Sequence, residues 1–289
     1  MFTFAQIFIL LQVFKTKTAI NNFVLTQKAL GKSMGLVPTM GALHAGHLSL
    51  LQKSKAINHL TIATIFVNPT QFNNPKDLEN YPQPIILDIQ MLKSVGCDVL
   101  FLPSKTEMYT AGEIWDYNLG SLANTLEGAY RQGHFKGVTQ IVYKLFTVIP
   151  ATMAFFGQKD FQQFLVVQQM VNFFSIPIKL ECCTIIREGN GLAMSSRNIH
   201  LSNSQKKKAL ILIECLFYIK QNFATTQITP LLTNAKQMFI GLTDVKLEYL
   251  EICDKNTLQP LQGNNTQNAI ALVAAFVGNT RLIDNMILD

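Results

Sequence analysis

Strand and helix signals alternate along the first two-thirds of this 289-residue chain. Short apolar runs typical of buried strands lie at 11–14, 35–38, 60–67, 98–102, 153–156 and 179–186. Apolar residues at helical spacing separate them, at 20–30, 47–57, 86–95, 139–148 and 160–173. Strands that alternate with helices favour a parallel sheet covered by helices on both faces. We therefore predict an α/β fold built on a Rossmann-like, doubly wound parallel sheet.

The pattern changes after about residue 186. Helical segments are predicted at 205–223 and 228–242, and strands at 245–253, 268–277 and 281–288. This mixture predicts a second, smaller α+β domain. We therefore divide the chain into a first domain, 1–185, and a second domain, 186–289.

Composition narrows the classes of function. The chain is 48% hydrophobic and 15% charged, which is typical of a globular protein. The net charge is +6, but the basic residues are scattered and few aromatics interleave with them, so no nucleic-acid partner is predicted. The five cysteines show no C-x-x-C spacing, which favours free thiols and a cytoplasmic location. The apolar N-terminus is too short to span a bilayer and lacks the basic start of a signal peptide, so no membrane partner is predicted.

One strand-to-helix junction carries residues suited to phosphate. The predicted strand 35–38 leads into Gly41, and His44, Gly46 and His47 follow at the start of a predicted helix. A helix N-terminus offers free N–H groups and a positive dipole end. Imidazoles there can donate to phosphate oxygens while charge moves at phosphorus. The short H-x-G-H pattern also fits a turn with two incidental histidines, but its context favours a nucleotide site.

Two further loops follow predicted strands. Gln71 comes after an Asn-Pro turn signal and offers an amide that can recognise a polyol without titrating, although an ordinary turn fits as well. Lys159 is a point charge suited to phosphate. Asp160 either caps the following helix or binds ribose hydroxyls.

Two segments complete the candidate set, one that begins with glycine and one that is punctuated by glycines. The segment 191–198 combines two serine hydroxyls with the guanidinium of Arg197, a suitable clamp for a polyphosphate. A domain linker with helix caps is the alternative there. The segment 127–137 is polar and punctuated by glycines, and we predict that it borders the site.

Taken together, these motifs resemble the pantothenate synthetase (pantoate–β-alanine ligase) family of H-x-G-H nucleotidyltransferases. The resemblance runs in order from about Leu11 to the C-terminus, and the ordered set is specific although no single motif decides it. Residues 1–10 precede the family pattern and are predicted to be an extension. The matching segments are 37–44 with His47, 66–69 with 71–72, 133–135, Gly157 with 159–163, 195–198, 272–275 and 281–285.

The resemblance implies a reaction and its substrates. ATP, (R)-pantoate and β-alanine would be joined with Mg²⁺ as cofactor. The pantoate carboxylate would attack the α-phosphate to give pantoyl adenylate and pyrophosphate, and the β-alanine amine would then displace AMP. A carboxylate is already ionised at pH 7, so the first step needs positioning and charge neutralisation and no general base. The resemblance also implies a homodimer.

Site residues follow from the resemblance, position by position. Catalytic roles are implied for His44, His47 and Lys159. ATP binding is implied for Met40, Gly41, His44, Gly46, His47, Gly157, Lys159, Asp160, Ile186, Met194, Ser195, Ser196 and Arg197. Pantoate or β-alanine binding is implied for Asn68, Gln71, Arg131 and Gln163. The first domain would bind nucleotide and pantoate, and the second would act as a lid.

Asp88 matches an acidic position of the family and is predicted to assist the metal, with a solvated helix acid as the alternative. Three positions depart from the family pattern, namely Gln83, Gln132 and Gln158. The last removes a negative charge beside Lys159, and altered ATP affinity is expected.

Two other functions stay open at this point. Another H-x-G-H nucleotidyltransferase would share the residues suited to phosphate, but its reaction would not account for the pair Gln71 and Gln163. A non-catalytic nucleotide-binding protein would be favoured by loss of His44, His47 or Lys159, and all three are present.

Overall fold

The computed structural model describes residues 11–263 and 267–288. The extension predicted at 1–10 lies outside the described residues. The strands are β1 Gln12–Phe14, β2 Met34–Thr39, β3 Leu60–Ile65, β4 Val99–Phe101, β5 Met153–Gly157, β6 Lys179–Cys183, β7 Val245–Asp254, β8 Ala269–Val277 and β9 Thr280–Ile287. The helices are α1 Lys17–Ala29, α2 Ala45–Ile57, α3 Pro75–Glu79, α4 Ile85–Ser94, α5 Lys105–Met108, α6 Glu127–Tyr130, α7 His134–Val148, α8 Phe161–Phe173, α9 Asn203–Lys208, α10 Ile211–Asn222 and α11 Ile228–Gln237.

The first six strands form one sheet in the order β1-β4-β3-β2-β5-β6. The pairs β1–β4, β4–β3, β3–β2 and β2–β5 are parallel. The central strand β2 is buried along almost its whole length, as expected for a strand covered by helices on both faces. The predicted α/β sheet is confirmed, and each of the six predicted strands overlaps an observed one.

The chain divides into two compact units. Among the described residues, the first comprises 11–118 together with 133–156 and 167–183, and the second comprises 119–132, 157–166 and the described part of the chain from 184 onward. The predicted boundary at residue 186 lies close to the last of these divisions, but the second unit also takes in two earlier segments. Gln162 shows why, since its side-chain Nε2 donates to the carbonyls of Leu122 and Thr125 at 2.7 and 2.8 Å. Hydrogen bonds between residues so far apart in the chain cannot be predicted from a local sequence pattern.

The second unit contains the antiparallel sheet β7-β8-β9. Its central strand β8 is almost entirely apolar and buried, and it packs with α10 and α11 in one hydrophobic cluster. This confirms the smaller α+β arrangement. The segment 205–223, predicted as one helix, is instead two helices, since α9 ends at Lys208 and α10 begins at Ile211.

Across the described residues, the structure contains no helix that is both long enough and apolar enough to cross a membrane.

Candidate active site

The turn between β2 and α2 is held by a buried carboxylate. Asp88, near the start of α4, accepts the backbone N–H of Ala42 at 3.0 Å and that of Leu43 at 2.8 Å. Gly41 has a φ of +83°, and an added Cβ there would lie 2.9 Å from an Asp88 oxygen. Glycine is therefore required at position 41 both for its backbone conformation and for the close approach of Asp88.

The two signature histidines lie directly after this turn. The His44 and His47 rings are 4.0 Å apart between centroids and tilted by 35°. The His44 backbone N–H donates to His47 Nδ1 at 3.3 Å. Because Nδ1 accepts, the neutral His47 ring carries its proton on Nε2. His47 can therefore offer an N–H donor at the start of α2, where the N-terminal backbone donors also lie.

Gln71 lies in the first unit beside the same turn. Its Nε2 donates to the sulfur of Met40 at 3.0 Å, so the predicted ATP residue Met40 and the predicted pantoate residue Gln71 are in contact. Its Oε1 accepts from Asn68 Nδ2 at 3.1 Å, and its backbone carbonyl accepts from His134 Nδ1 at 2.9 Å. Gln71 is therefore held at its side-chain amide and at its backbone before any ligand binds.

Asn68 has protein partners for both ends of its amide. Its Nδ2 also donates to the Gly137 carbonyl at 3.0 Å, and its Oδ1 accepts from Tyr109 at 2.6 Å and from Thr70 at 3.1 Å. Asn68 thus fixes the loop that carries Gln71. Its predicted contact with substrate stays a prediction.

Gly137 allows α7 to approach this loop. A Cβ at position 137 would lie 2.3 Å from the carbonyl oxygen of Thr70 and 2.5 Å from the backbone nitrogen of Gln71. The helix could not take that position with any larger residue. This requirement explains one glycine of the segment 127–137, which the sequence marked only as polar and punctuated by glycines.

The second unit contains a cleft rich in cations. Its walls include five predicted site residues, namely Arg131, Lys159, Asp160, Ser195 and Arg197. Lys159 Nζ lies 3.1 Å from the Asp160 carboxylate, in a short 3₁₀ turn that follows β5. Burial opposes ionisation of Asp160, but the charges of Lys159, Arg131 and Arg197 outweigh it and hold the pKa of this carboxyl below its ordinary value.

Arg131 is a partly buried cation in this cleft. Burial, followed by the charge of Arg197, lowers the pKa of its guanidinium. Within the described part of the chain it forms one ion pair, with Glu127 at 3.9 Å, and its side chain is 18% exposed. A cation that is partly desolvated beside another cation favours an anionic ligand. The lowered pKa is thus consistent with binding of phosphate or carboxylate.

An ion-pair network that includes Glu127 and Arg281, both in the wall of this cleft, was not predicted from the sequence. The Glu127 carboxylate accepts two N–H bonds from Arg281, both at 2.7 Å, and the Tyr249 hydroxyl at 2.8 Å. Arg281 also pairs with Glu248. Burial alone would raise the pKa of Glu127, but the bonds and charge of Arg281 hold it below its ordinary value. The segment resembling the family at 281–285 was the available signal, and it gave Arg281 no role.

Gln158 has a neutral partner in this protein. Its Nε2 donates to Asn285 Oδ1 at 3.1 Å, and Asn285 Nδ2 donates to the carbonyls of Gln158 and Lys159 at 2.8 and 3.0 Å. Asn285 therefore fixes the backbone of the Lys159 turn. The departure from glutamate at position 158 is accommodated by an amide-to-amide bond.

Of the remaining predicted residues, Gly46 lies in the first turn of α2, and the others occupy the second unit. Met194 and Ile186 share a backbone bond of 3.0 Å, and a Cβ at Gly157 would meet no atom within 4 Å. Gln163 is half-buried in α8, whereas its neighbour Gln162 is fully buried and makes the structural bonds described above. The ligand roles of these residues, and of Ser196 in its 3₁₀ turn, stay predictions.

The described residues contain no group of three or more His, Cys, Asp or Glu side chains placed to hold a metal ion. Asp88, the one residue predicted to assist the metal, is 1% exposed, and both of its oxygens accept backbone N–H groups. The alternative of a solvated helix acid is excluded by this burial. In the part of the chain that the structure describes, the side chains therefore do not fit a magnesium site built by the protein alone.

Comparison with known proteins adds to this geometry. The family model for pantoate-beta-alanine ligase matches residues 12–287. The chain belongs to the pantoate–β-alanine ligase family. A pantothenate synthetase of Porphyromonas gingivalis is 39% identical over 280 residues, covering 96% of this chain and 99% of that protein. One from Koribacter versatilis is 44% identical over 261 residues, covering 90% and 89%.

Solved structures of this family share the fold. The pantothenate synthetase of Thermus thermophilus has a TM-score of 0.90 at 34% identity, covering 96% of this chain and 99% of that one. The ligase of Francisella tularensis, solved with beta-gamma ATP and beta-alanine, has a TM-score of 0.79 at 33% identity, covering 96% and 98%.

Proposed function

We propose that this protein condenses (R)-pantoate with β-alanine at the expense of ATP, giving pantothenate, AMP and pyrophosphate through a pantoyl-adenylate intermediate. The observation that carries the proposal is the match of the ligase family to residues 12–287, a span that includes every predicted site residue. The contacts at the H-x-G-H turn and around Gln71 support it, because they place a helix N-terminus, a feature that favours anions, beside the fixed amide of Gln71.

The first step joins a pantoate carboxylate oxygen to the α-phosphorus and releases pyrophosphate. The attacking group is already ionised, so the residues contribute positioning and charge stabilisation. His44 and His47 would donate to phosphate oxygens, and Met40, Gly41 and Gly46 would contact the nucleotide. Gln71 would bind pantoate.

Residues of the second unit would neutralise the triphosphate and bind the rest of the nucleotide. Lys159, Ser195, Ser196 and Arg197 carry the cationic and hydroxyl donors suited to phosphate. Gly157 and Asp160 would contact ribose, with Ile186 and Met194 near the nucleotide. Gln163 would bind pantoate, and Arg131 would bind a substrate carboxylate.

In the second step the neutral amine of β-alanine attacks the acyl carbon. A C–N bond forms, the C–O bond to AMP breaks, and the amine proton leaves to solvent. Magnesium would enter as the ATP complex, held by the phosphates. A magnesium ion commonly binds in this way, with few protein ligands.

Two further properties are proposed from the family. The protein would form a homodimer, which light scattering on the purified protein measures directly. It would also work in the cytoplasm. The free cysteines of the described residues agree with a reducing compartment, and burial raises the pKa of Cys215 and Cys253 to about 12, which keeps these thiols unreactive.

The test is the release of pyrophosphate and AMP from ATP and Mg²⁺, first with pantoate alone and then with β-alanine added. We expect pyrophosphate release that requires pantoate, with AMP appearing once β-alanine is present. Folded protein that shows no pantoate-dependent release would refute the proposal and favour another nucleotidyltransferase.

Replacing Gln71 by alanine should raise the KM for pantoate far more than the KM for ATP. The amide is held by Asn68 and Met40 and would be available to a polar substrate. Initial rates with each substrate varied in turn measure this split. Gln52→Ala, at an exposed position of α2, is the matched control. Equal losses for both substrates would show that Gln71 is structural.

A further inference from the structure

The turn that precedes the signature histidines is bonded to a buried carboxylate, that of Asp88. Asp88 is buried to 1% exposure, and no cation pairs with it among the described residues. Its two oxygens accept consecutive backbone N–H groups, from Ala42 at 3.0 Å and from Leu43 at 2.8 Å. Burying a carboxylate is costly unless hydrogen bonds compensate, so this arrangement needs a reason in the turn itself.

The start of α4 is inverted relative to an ordinary amphipathic helix. Ile86 and Leu87 are 72% and 58% exposed, whereas the next residue, Asp88, faces inward. A surface helix normally directs its apolar residues inward and its acids to water. In this helix the apolar side chains of Ile86 and Leu87 are therefore exposed, while the Asp88 carboxylate is buried against the turn.

The turn needs such an anchor because its backbone is strained. Gly41 and Ala42 both have positive φ, at +83° and +49°, and the latter conformation is unfavourable for a residue with a Cβ. The Thr39 hydroxyl accepts the Gly41 N–H at 3.2 Å, and Asp88 accepts the next two N–H groups. Three successive donors are thus fixed immediately before His44.

We propose that Asp88 is a positioning residue for the reaction. Its carboxylate fixes the backbone of residues 42–43, and through it the placement of His44 and His47, without binding the metal. The effect on catalysis rests on the proposed function, since it is measured on adenylate formation. The effect on amide hydrogen exchange in the turn does not depend on the proposed function.

The test compares Asp88→Asn with Asp98→Asn. Asparagine keeps one acceptor and replaces the other by an NH₂ group that faces a backbone N–H. Asp98 is a matched control in the same unit, because it also accepts a backbone N–H, from Thr61 at 2.8 Å, but at the opposite end of the strands. We measure the rate of pantoate-dependent pyrophosphate release, the magnesium concentration that gives half-maximal rate, and amide hydrogen exchange at residues 42 and 43.

For Asp88→Asn we expect the rate to fall by about tenfold to a hundredfold, the scale of a small displacement of catalytic groups. The magnesium requirement should stay at the wild-type value, and the two amides should exchange faster. For Asp98→Asn we expect a wild-type rate and unchanged exchange at both positions. A higher magnesium requirement with protected amides would overturn the proposal in favour of metal binding, and an unchanged rate would overturn it as well.

Amide hydrogen exchange in the wild-type protein tests the proposal without the variant. Slow exchange at Ala42 and Leu43 is required, and fast exchange at both would overturn the proposal even where the variant does not fold. A wild-type protein without pantoate-dependent release would refute the proposed function separately, while the exchange rates would still decide whether Asp88 holds the turn.

Discussion

His47→Ala is expected to lower the rate of pantoate-dependent pyrophosphate release by about two to three orders of magnitude, the typical loss when one preorganised donor to a developing charge is removed. The His44 N–H bond to His47 Nδ1 leaves the proton of the neutral ring on Nε2. That proton is the donor that alanine lacks. The loss should fall mainly on kcat, because the charge on the phosphate oxygens changes most in the transition state.

Single-turnover pyrophosphate release with saturating ATP and pantoate measures the chemical step. His200→Ala is the matched control, since His200 is exposed at the end of a 3₁₀ turn in the second unit. Turnover close to wild type in His47→Ala would remove His47 from the mechanism. A loss confined to the KM for ATP would reduce its role to ground-state binding.

The H-x-G-H turn could be predicted because its signals are local. An apolar strand, Gly41 and a helix start follow one another within a few residues, and the structure contains β2, the turn and α2 in that order. The strand is two residues longer than predicted and α2 begins two residues earlier, at Ala45. Such differences are expected at element ends, where the hydrogen-bond pattern and the apolar pattern do not coincide.

The residues that hold the site are harder to predict. Asp88 is 45 residues from Leu43, and Arg281 is 154 residues from Glu127. No periodicity or motif links positions so far apart, and the resemblance implied only a metal role for Asp88, with a solvated helix acid as the alternative. Only the packing of α4 against the turn shows what its carboxylate contacts.

The sequence also does not show which of two adjacent glutamines, Gln162 and Gln163, is buried in the structure. Gln162 and Gln163 are chemically identical, and the resemblance gave a ligand role to the second. In the structure Gln162 is buried and bonds the carbonyls of Leu122 and Thr125, while its Oε1 accepts the Glu127 N–H at 3.0 Å. The rotation of α8 after its preceding 3₁₀ turn buries Gln162 and leaves Gln163 half-buried, and the sequence does not fix that rotation.

Glu127→Ala should destabilise the second unit by about 3–5 kcal/mol, the usual cost of removing one partner of a buried ion pair. Arg281 would keep only Glu248 as a carboxylate partner among the described residues, and the Tyr249 hydroxyl would lose its acceptor. Urea unfolding followed by circular dichroism measures the change. Glu251→Ala, in β7 of the same unit, is the matched control, because Glu251 forms an exposed pair with Lys236 at 3.3 Å. Such a pair is worth only about 0–1 kcal/mol.

The pH dependence of this stability distinguishes the charge of Glu127 from its shape. Its pKa in the folded protein is held below the ordinary value by Arg281. The stabilisation is therefore fully present above the ordinary pKa of about 4.3 and is lost as the pH falls through the folded-state value.

Glu127→Gln keeps the size of the side chain and removes this charge. The difference in unfolding free energy between wild type and Glu127→Gln should therefore be largest near pH 7 and shrink steadily below about pH 4. A difference that stays constant with pH would mean that hydrogen-bond geometry, and not the charge of the carboxylate, holds Arg281 in place.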